Sequence, residues 1–277
     1  MMASLNRAIG LLTLGYVAFS AEAARVRRHK SSSVVAPAGS PVDQHGQLSV
    51  SGNRIVDQNG ANVQLRGMSM FWSQWSGNYW NADVVNWLAS DFQVSLIRAA
   101  MGVEEGCSYL CSPAAEKAKM IAVVNASIAA GIYVMIDWHA HYAEESVPQA
   151  RAFFDEMART YGSYPNVLWE TYNEPKQQDW GSVIKPYHEQ IVPVIRAHSQ
   201  NIITLGTRFW SQEVDVACSN PVAGSNLAYT IHMADLHSRL HQQLCVLLFR
   251  SRRERQATRS KVPWAAKPRE RAPPRRL

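Results

Sequence analysis

Four cysteines in 277 residues are too few to staple a fold, and Cys107, Cys111, Cys218 and Cys245 have no zinc-knuckle spacing. Cys107 and Cys111 are close enough to close a small local loop, whereas Cys218 has no obvious partner. Charged residues are scarce at 18% against 47% hydrophobic, which excludes a chain too polar to bury a core. Apolar runs of membrane-spanning length are missing, since Ala8–Ser20 offers thirteen residues where roughly 20 are needed. An excess of basic charge is missing from the body of the chain as well. Eleven Lys/Arg against two Asp/Glu fall in Arg250–Leu277, and five against one in Met1–Lys30. The remainder is mildly acidic, so the net charge of +6 and the pI near 9.2 do not describe a nucleic-acid-binding face.

What is present begins with a leader pattern. Arg7 precedes the apolar run, and Ala21-Glu22-Ala23 is a small-x-small cleavage site, so residues 1–23 read as a signal peptide. Export implies a secreted, extracellular protein with no membrane attachment after cleavage. A Ser/Ala/Pro-rich linker is expected over 24–45 and a single domain over 46–235. Residues 236–277 lose periodicity and end in an Arg/Pro-rich run, expected to be a disordered tail. A monomer is expected.

Between these ends, β-rich runs start at Val63, Leu96, Ile132, Val167, Ile202 and Leu227, the first five about 35 residues apart, the length of a strand, a loop and a covering helix. Helical spacing fills the gaps. Phe154, Met157, Ala158 and Tyr161 follow i, i+3, i+4, i+7 before Gly162. Ser112-Pro113 reads as a cap and first turn, with Ile121, Val124 and Ile128 on one face until Gly131. Asn81–Phe92 carries a third stripe, and Pro186 and Pro193 are expected to kink a fourth helix. Strands alternating with helices mean parallel pairing, in an open doubly wound sheet or a closed barrel. Arg98, Asp137 with His139, Asn173 with Glu174, and His232 all fall at C-terminal strand ends, and delivery of reactive groups to one rim favours the barrel. The expected architecture is an α/β (β/α)8 TIM barrel, incomplete, with about six of its eight units.

The most specific string is W-E-T-Y-N-E-P, Trp169–Pro175. A carboxylate just past a strand end, preceded by Asn and fixed by Pro, suits a general acid at a barrel mouth, because a glycosidic oxygen must be protonated as it leaves. Here the chain resembles glycoside hydrolase family 5. The strings G-Q-L-S-V, V-Q-L-R-G-M-S, S-Q-W, L-I-R-A-A-M, G-I-Y-V-M-I-D-W-H, Y-P-N-V, I-K-P-Y, W-S-Q-E-V-D and Y-T-I-H are similar to that family's endoglucanases in the same order, from Gly46 to His232. The resemblance implies an endo-β-1,4-glucanase acting on cellulose or soluble β-glucan by retaining double displacement, with mannanase or xylanase as close variants. It places Glu174 as general acid/base, Arg98 as the strand-two Arg, His139 and His232 as the strand-three and strand-six His, and Asn173 beside the acid. Trp75 and Trp210 match aromatics bordering the sugar subsites. Trp72, Trp80, Trp87 and Trp138 read as core or rim packing, and Glu170 as an inward ion-pair partner.

The chain departs from the family where the second carboxylate should stand. No T-E-W-G string follows, and H-M-A-D replaces H-F-Y-A after the sixth strand. The attacking nucleophile therefore has no counterpart, and a sugar-binding, non-catalytic chain is the rival expectation. His139-Ala140-His141, with His232 and Asp235, also resembles a zinc set of metal-dependent barrels, but the family pattern needs no cofactor and no metal is expected. Without a neighbouring carboxylate, burial alone is expected to raise the pKa of Glu174.

Overall fold

The computed structural model describes residues 35–233 and 244–248. The leader at 1–23, the linker up to residue 34 and the tail residues 236–243 and 249–277 lie outside the described residues, so those readings remain expectations. The described end of the linker is instead a helix with Val42 buried, and residues 244–248 of the tail form a strand.

A short helix α1 (Pro41–His45), capped by Ser40, leads into the hairpin β1 (Ser49–Ser51) and β2 (Arg54–Val56). Six strands then pair in parallel and in chain order: β3 (Gly67–Ser69), β4 (Leu96–Gly102), β5 (Tyr133–His139), β6 (Val167–Glu170), β7 (Ile203–Leu205) and β8 (Leu227–Met233). A last strand, β9 (Leu244–Leu248), runs antiparallel to β8. Between the parallel strands lie α2 (Ala82–Asp91), α3 (Pro113–Ala130), α4 (Val147–Tyr161) and α5 (Lys185–Arg196), followed by the short turns α6 (Arg208–Ser211) and α7 (Val214–Ser219). This is the β/α progression of a TIM barrel. The sheet is not closed among the described residues: β3 pairs only with β4, and Gly67, Met68 and Ser69 are exposed.

The helix boundaries follow from local chemistry. Asn81 caps α2 by accepting from Val84 N–H, and Pro113 occupies the first turn of α3. Gly131 ends α3 at φ 68°, in the left-handed region that glycine enters without a Cβ penalty. Pro186 does not interrupt α5, contrary to expectation. It lies in the first turn of α5, and a π-helical turn (Trp180–Ile184) runs into that turn with Ile184 and Lys185 both helical, so the ladder changes from π to α where the proline N–H is missing. Pro193 alone lies inside the helix.

Strand alternation separates two cores. Ile97, Ala99, Met101, Val134, Ile136, Trp138, Val167 and Trp169 join one buried cluster with Val123, Val124, Phe153, Phe154 and Ile191 of the helices. The opposite face carries Tyr133, Met135, Leu168 and Ala228, clustered with Val42, Leu48 and Ile55 from α1 and the hairpin. A doubly wound sheet would cover both faces with long helices; here one face is lined by helices and the other encloses an interior plugged at its N-terminal end. Higher along that interior the residues become polar, and there the site begins.

Candidate active site

Arg98, Asp137, Glu170, Thr230 and His232 are all buried, and the parallel register sets β4, β5 and β6 side by side and β8 two strands on. Arg98 organises them. Its Nε donates to Glu170 Oε2 at 2.6 Å, one terminal nitrogen reaches Asp137 Oδ2 at 2.8 Å and Asn173 Oδ1 at 2.7 Å, and the other reaches Ser69 Oγ at 3.2 Å. Thr230 Oγ1 donates to Glu170 Oε1 at 3.1 Å. One guanidinium thus faces two buried carboxylates. Burial pushes Asp137 up to about 7 against the pull of Arg98, and burial raises Glu170 in the same way. His139 Nδ1 meets Asp137 Oδ2 at 2.6 Å. Burial, with Arg98 adding to it, holds the His139 pKa well below its ordinary value, so the ring is a neutral imidazole oriented by Asp137.

Glu174 lies just beyond β6, buried, with its N–H on the Ala140 carbonyl at 3.2 Å and its side chain only 10% exposed. His232 Nδ1 is 2.7 Å from Oε1, and His141 Nε2 is 3.5 Å from Oε2. Burial would raise its pKa, but the hydrogen bonds and charges of His141 and His232 outweigh that and hold it at about 2. The expected upward shift is therefore corrected. The sequence reading considered which carboxylates were missing and overlooked the two imidazoles that the fold supplies.

Asn173 is fully buried, and its Nδ2 has no hydrogen-bond partner among the described residues, leaving a donor beside Glu174. Its carbonyl accepts from Ser211 Oγ at 2.7 Å. Ser211 closes an unusual turn: Phe209, Trp210 and Ser211 have φ of 59°, 55° and 58°, left-handed values that cost a side-chain-bearing residue roughly 1–2 kcal/mol each. The turn is held against the N-E-P segment, with Phe209 N–H on the Lys176 carbonyl at 2.7 Å and Trp210 N–H on the Pro175 carbonyl at 2.8 Å. Gly206 permits this approach, since a Cβ there would collide with the Tyr172 carbonyl.

The structure thus gathers Arg98, His139, Asn173, Glu174 and His232 at one rim. Trp210 adjoins them through its backbone. Trp75 is 54% exposed and reaches the cluster through Trp72, whose ring lies 5.1 Å from it and 4.3 Å from His139. Trp80 and Trp138 are core residues as read, Trp87 is exposed, and Trp72 packs on the site itself. Glu170 takes the inward ion pair expected of it. Asp137 was noted at a strand end but given no role, although its i, i+2 relation to His139 on β5 places both on the interior face. His141 was read only as half of a metal motif. Among the described residues no group of three or more His, Cys, Asp or Glu is arranged to hold a metal ion. Cys107 and Cys111 do form a disulfide, closing the loop between β4 and α3.

The sequence profile of the cellulase family (glycosyl hydrolase family 5) matches residues 56–264. Endoglucanase Z of Dickeya dadantii is 47% identical over 189 residues, which are 67% of this chain and 44% of that protein. An endoglucanase of Clostridium saccharobutylicum is 43% identical over 192 residues, 68% of this chain and 43% of that one. Among solved structures, a protein from Cytophaga hutchinsonii superposes with a TM-score of 0.69 at 51% identity, covering 70% of this chain and 63% of the other. The catalytic domain of Thermobifida fusca endoglucanase Cel5A gives 0.67 at 34% identity, covering 71% and 69%. The chain spans less than half the length of these curated relatives.

Proposed function

Because the chain belongs to glycosyl hydrolase family 5, we propose that its rim acts on β-1,4-linked glucan as an endo-β-1,4-glucanase, with Glu174 as general acid/base. The observation that carries this reading is Glu174 beyond β6, buried between two imidazoles, with Asn173 Nδ2, which has no hydrogen-bond partner among the described residues, beside it. A sugar unit seated against Asn173 brings its glycosidic oxygen to Glu174. The carboxyl, ionised before sugar binds, must first take up a proton, which exclusion of water by the sugar favours, before it donates that proton as the bond breaks and regains one from water. His139 and His232 keep the rim polar and fixed, while Arg98 holds Asn173 and the two inward carboxylates. Trp75 and Trp210 offer aromatic faces for neighbouring sugar rings. No cofactor or metal is needed for this chemistry. We further infer a secreted protein from the leader-like start; among the described residues no helix is long and apolar enough to cross a membrane.

Retaining hydrolysis also requires a second carboxylate about 5–5.5 Å from the first. Asp137 and Glu170 are engaged by Arg98, and β9, the described strand after β8, is antiparallel and has no acidic residue. On this reading sugar binding does not depend on a second carboxylate, whereas turnover on carboxymethyl cellulose is expected to fall several orders of magnitude short of that of a relative with both. The test is reducing-end release from carboxymethyl cellulose by the 277-residue chain and by Glu174→Gln, beside cello-oligosaccharide binding followed by Trp fluorescence. Binding lost in Trp75→Ala supports the assignment of the cleft, and absence of any binding to cello-oligosaccharide overturns it.

A further inference from the structure

The site holds one group that none of the family-like strings picks out as functional. β5 ends at His139, and after the buried Ala140 the chain presents His141 to the rim. Both ring nitrogens of His141 face carboxylates. Nε2 is 3.5 Å from Glu174 Oε2, and Nδ1 is 3.4 Å from Glu105 Oε1 and 3.6 Å from Glu104 Oε1. The ring also lies against Trp72, with centroids 5.3 Å apart.

Its backbone is pinned on both sides. The His141 N–H donates to Glu104, while the His141 carbonyl accepts from Tyr172 Oη at 2.8 Å and from Gln178 Nε2 at 2.8 Å. Tyr172 and Gln178 are themselves tied to Glu144. Glu104 and Glu105 belong to the β4–α3 loop, which the Cys107–Cys111 disulfide closes. An imidazole held at its N–H, its carbonyl and one ring face has little freedom to leave Glu174, and that constraint is not needed merely to fill space at a half-open rim.

We propose that His141 is a positioning residue for Glu174: Glu104 anchors it from the β4–α3 loop, and its Nε2 edge fixes the Oε2 side of the Glu174 carboxylate and favours the ionised form. The inference rests on the reading of Glu174 as the general acid/base. His232 bonds the other oxygen at 2.7 Å, so the carboxylate is gripped on both sides and its orientation is set before any sugar arrives. The remaining charged and titratable groups around Glu174 are Arg98 from β4, Asp137 and His139 from β5, Glu170 from β6 and His232 from β8. Of these, Asp137 repels the Glu174 charge. Through its contacts to Glu104 and Glu105, His141 links this interior set to the acidic loop.

The test is a side-chain carboxyl NMR titration of the full 277-residue chain labelled at glutamate, with Glu174 assigned by loss of its signal in Glu174→Gln. In the unaltered chain Glu174 is expected to stay ionised at about pH 3, and His141→Ala to raise its midpoint by about one unit, the scale of one neighbouring charge. His141→Gln, which keeps a donor but not the charge, should fall between the two. Glu104→Ala, which removes the anchor of the His141 N–H, should move the midpoint in the same direction by a smaller amount. A midpoint in both His141 variants within about 0.2 unit of the unaltered chain, with native circular dichroism, overturns the proposal; the scale of a real effect is set by the neighbouring charge. Because the titration reads Glu174 without turnover, a shift seen in a chain that binds no cello-oligosaccharide would remove the functional reading and leave the His141–Glu174 coupling standing.

Discussion

Arg98→Met removes the cation at the centre of the rim while keeping most of the side chain's volume. The consequence can be worked from the contacts. Arg98 holds Glu170 at 2.6 Å, Asp137 at 2.8 Å and Asn173 at 2.7 Å, and both carboxylates are fully buried. Removing one partner of a buried ion pair costs about 3–5 kcal/mol, because the charge left behind has neither water nor a counterion. Two carboxyls are left here; Asp137, raised to about 7, already carries its proton at pH 5, so at that pH only Glu170 must take one up, while at pH 8 both must. For a carboxyl of ordinary pKa near 3.9, protonation costs about 1.5 kcal/mol at pH 5 and about 5.5 kcal/mol at pH 8. The variant should therefore lose about 3–5 kcal/mol at pH 8 and roughly half that at pH 5.

The sign follows from linkage. Asp137 is already raised to about 7 in the folded protein, so folding binds its proton more tightly than the unfolded chain does. Stability from that source is complete below the unfolded pKa and fades as pH rises through about 7. Removing Arg98 steepens this decline. Urea unfolding followed by Trp fluorescence, at several pH values, measures it. A loss below about 1 kcal/mol at pH 8, or one that does not change with pH, would refute the argument that these carboxylates depend on Arg98.

Other outcomes follow from the same geometry. Glu174 has the opposite sign: its pKa is lowered to about 2, so its contribution of about 3 kcal/mol is present above the unfolded pKa and lost as pH falls through about 2. Glu174→Gln should therefore flatten the acid limb of the stability profile measured by thermal denaturation. Ser211→Ala removes the bond into the Asn173 carbonyl and should cost about 1–3 kcal/mol in urea while weakening cello-oligosaccharide binding; unchanged binding would separate the left-handed turn from the cleft. Reducing Cys107–Cys111, or replacing both by Ser, should lower stability by about 2 kcal/mol, measured by the shift in urea midpoint, because the closed loop is short.

The progression from strand to helix was legible because periods of 2 and 3.6 are written into consecutive residues. The stripes at Asn81–Phe92 and Ser112–Gly131 coincide with α2 and α3, and Gly131 and Gly162 stand just past helix ends as read; the Ser112 side chain makes no cap bond, and α4 begins at Val147, before the Phe154–Tyr161 stripe. The rim residues Arg98, His139, Asn173, Glu174 and His232 were legible for the same reason: each falls at the end of a β-rich run, and parallel strands put such ends together. Pro186 was misread because a proline's effect depends on whether its missing N–H had a helical acceptor, and that depends on where the preceding π-helical turn leaves off.

Tertiary structure alone decided which side chains meet and with what charge. Arg98 and Glu170 are 72 positions apart, and His232 and Glu174 are 58 apart. Only the registers of neighbouring strands and the curl of the sheet turn those separations into contacts of 2.6 and 2.7 Å. The left-handed turn at Phe209–Ser211 was equally invisible, because its strain is offset by acceptors on Asn173, Pro175 and Lys176 that belong to another part of the chain. The W-E-T-Y-N-E-P string and the family resemblance single out Glu174; the sign of its pKa shift is a sum over burial and neighbouring charges, and those exist only once the strands are side by side.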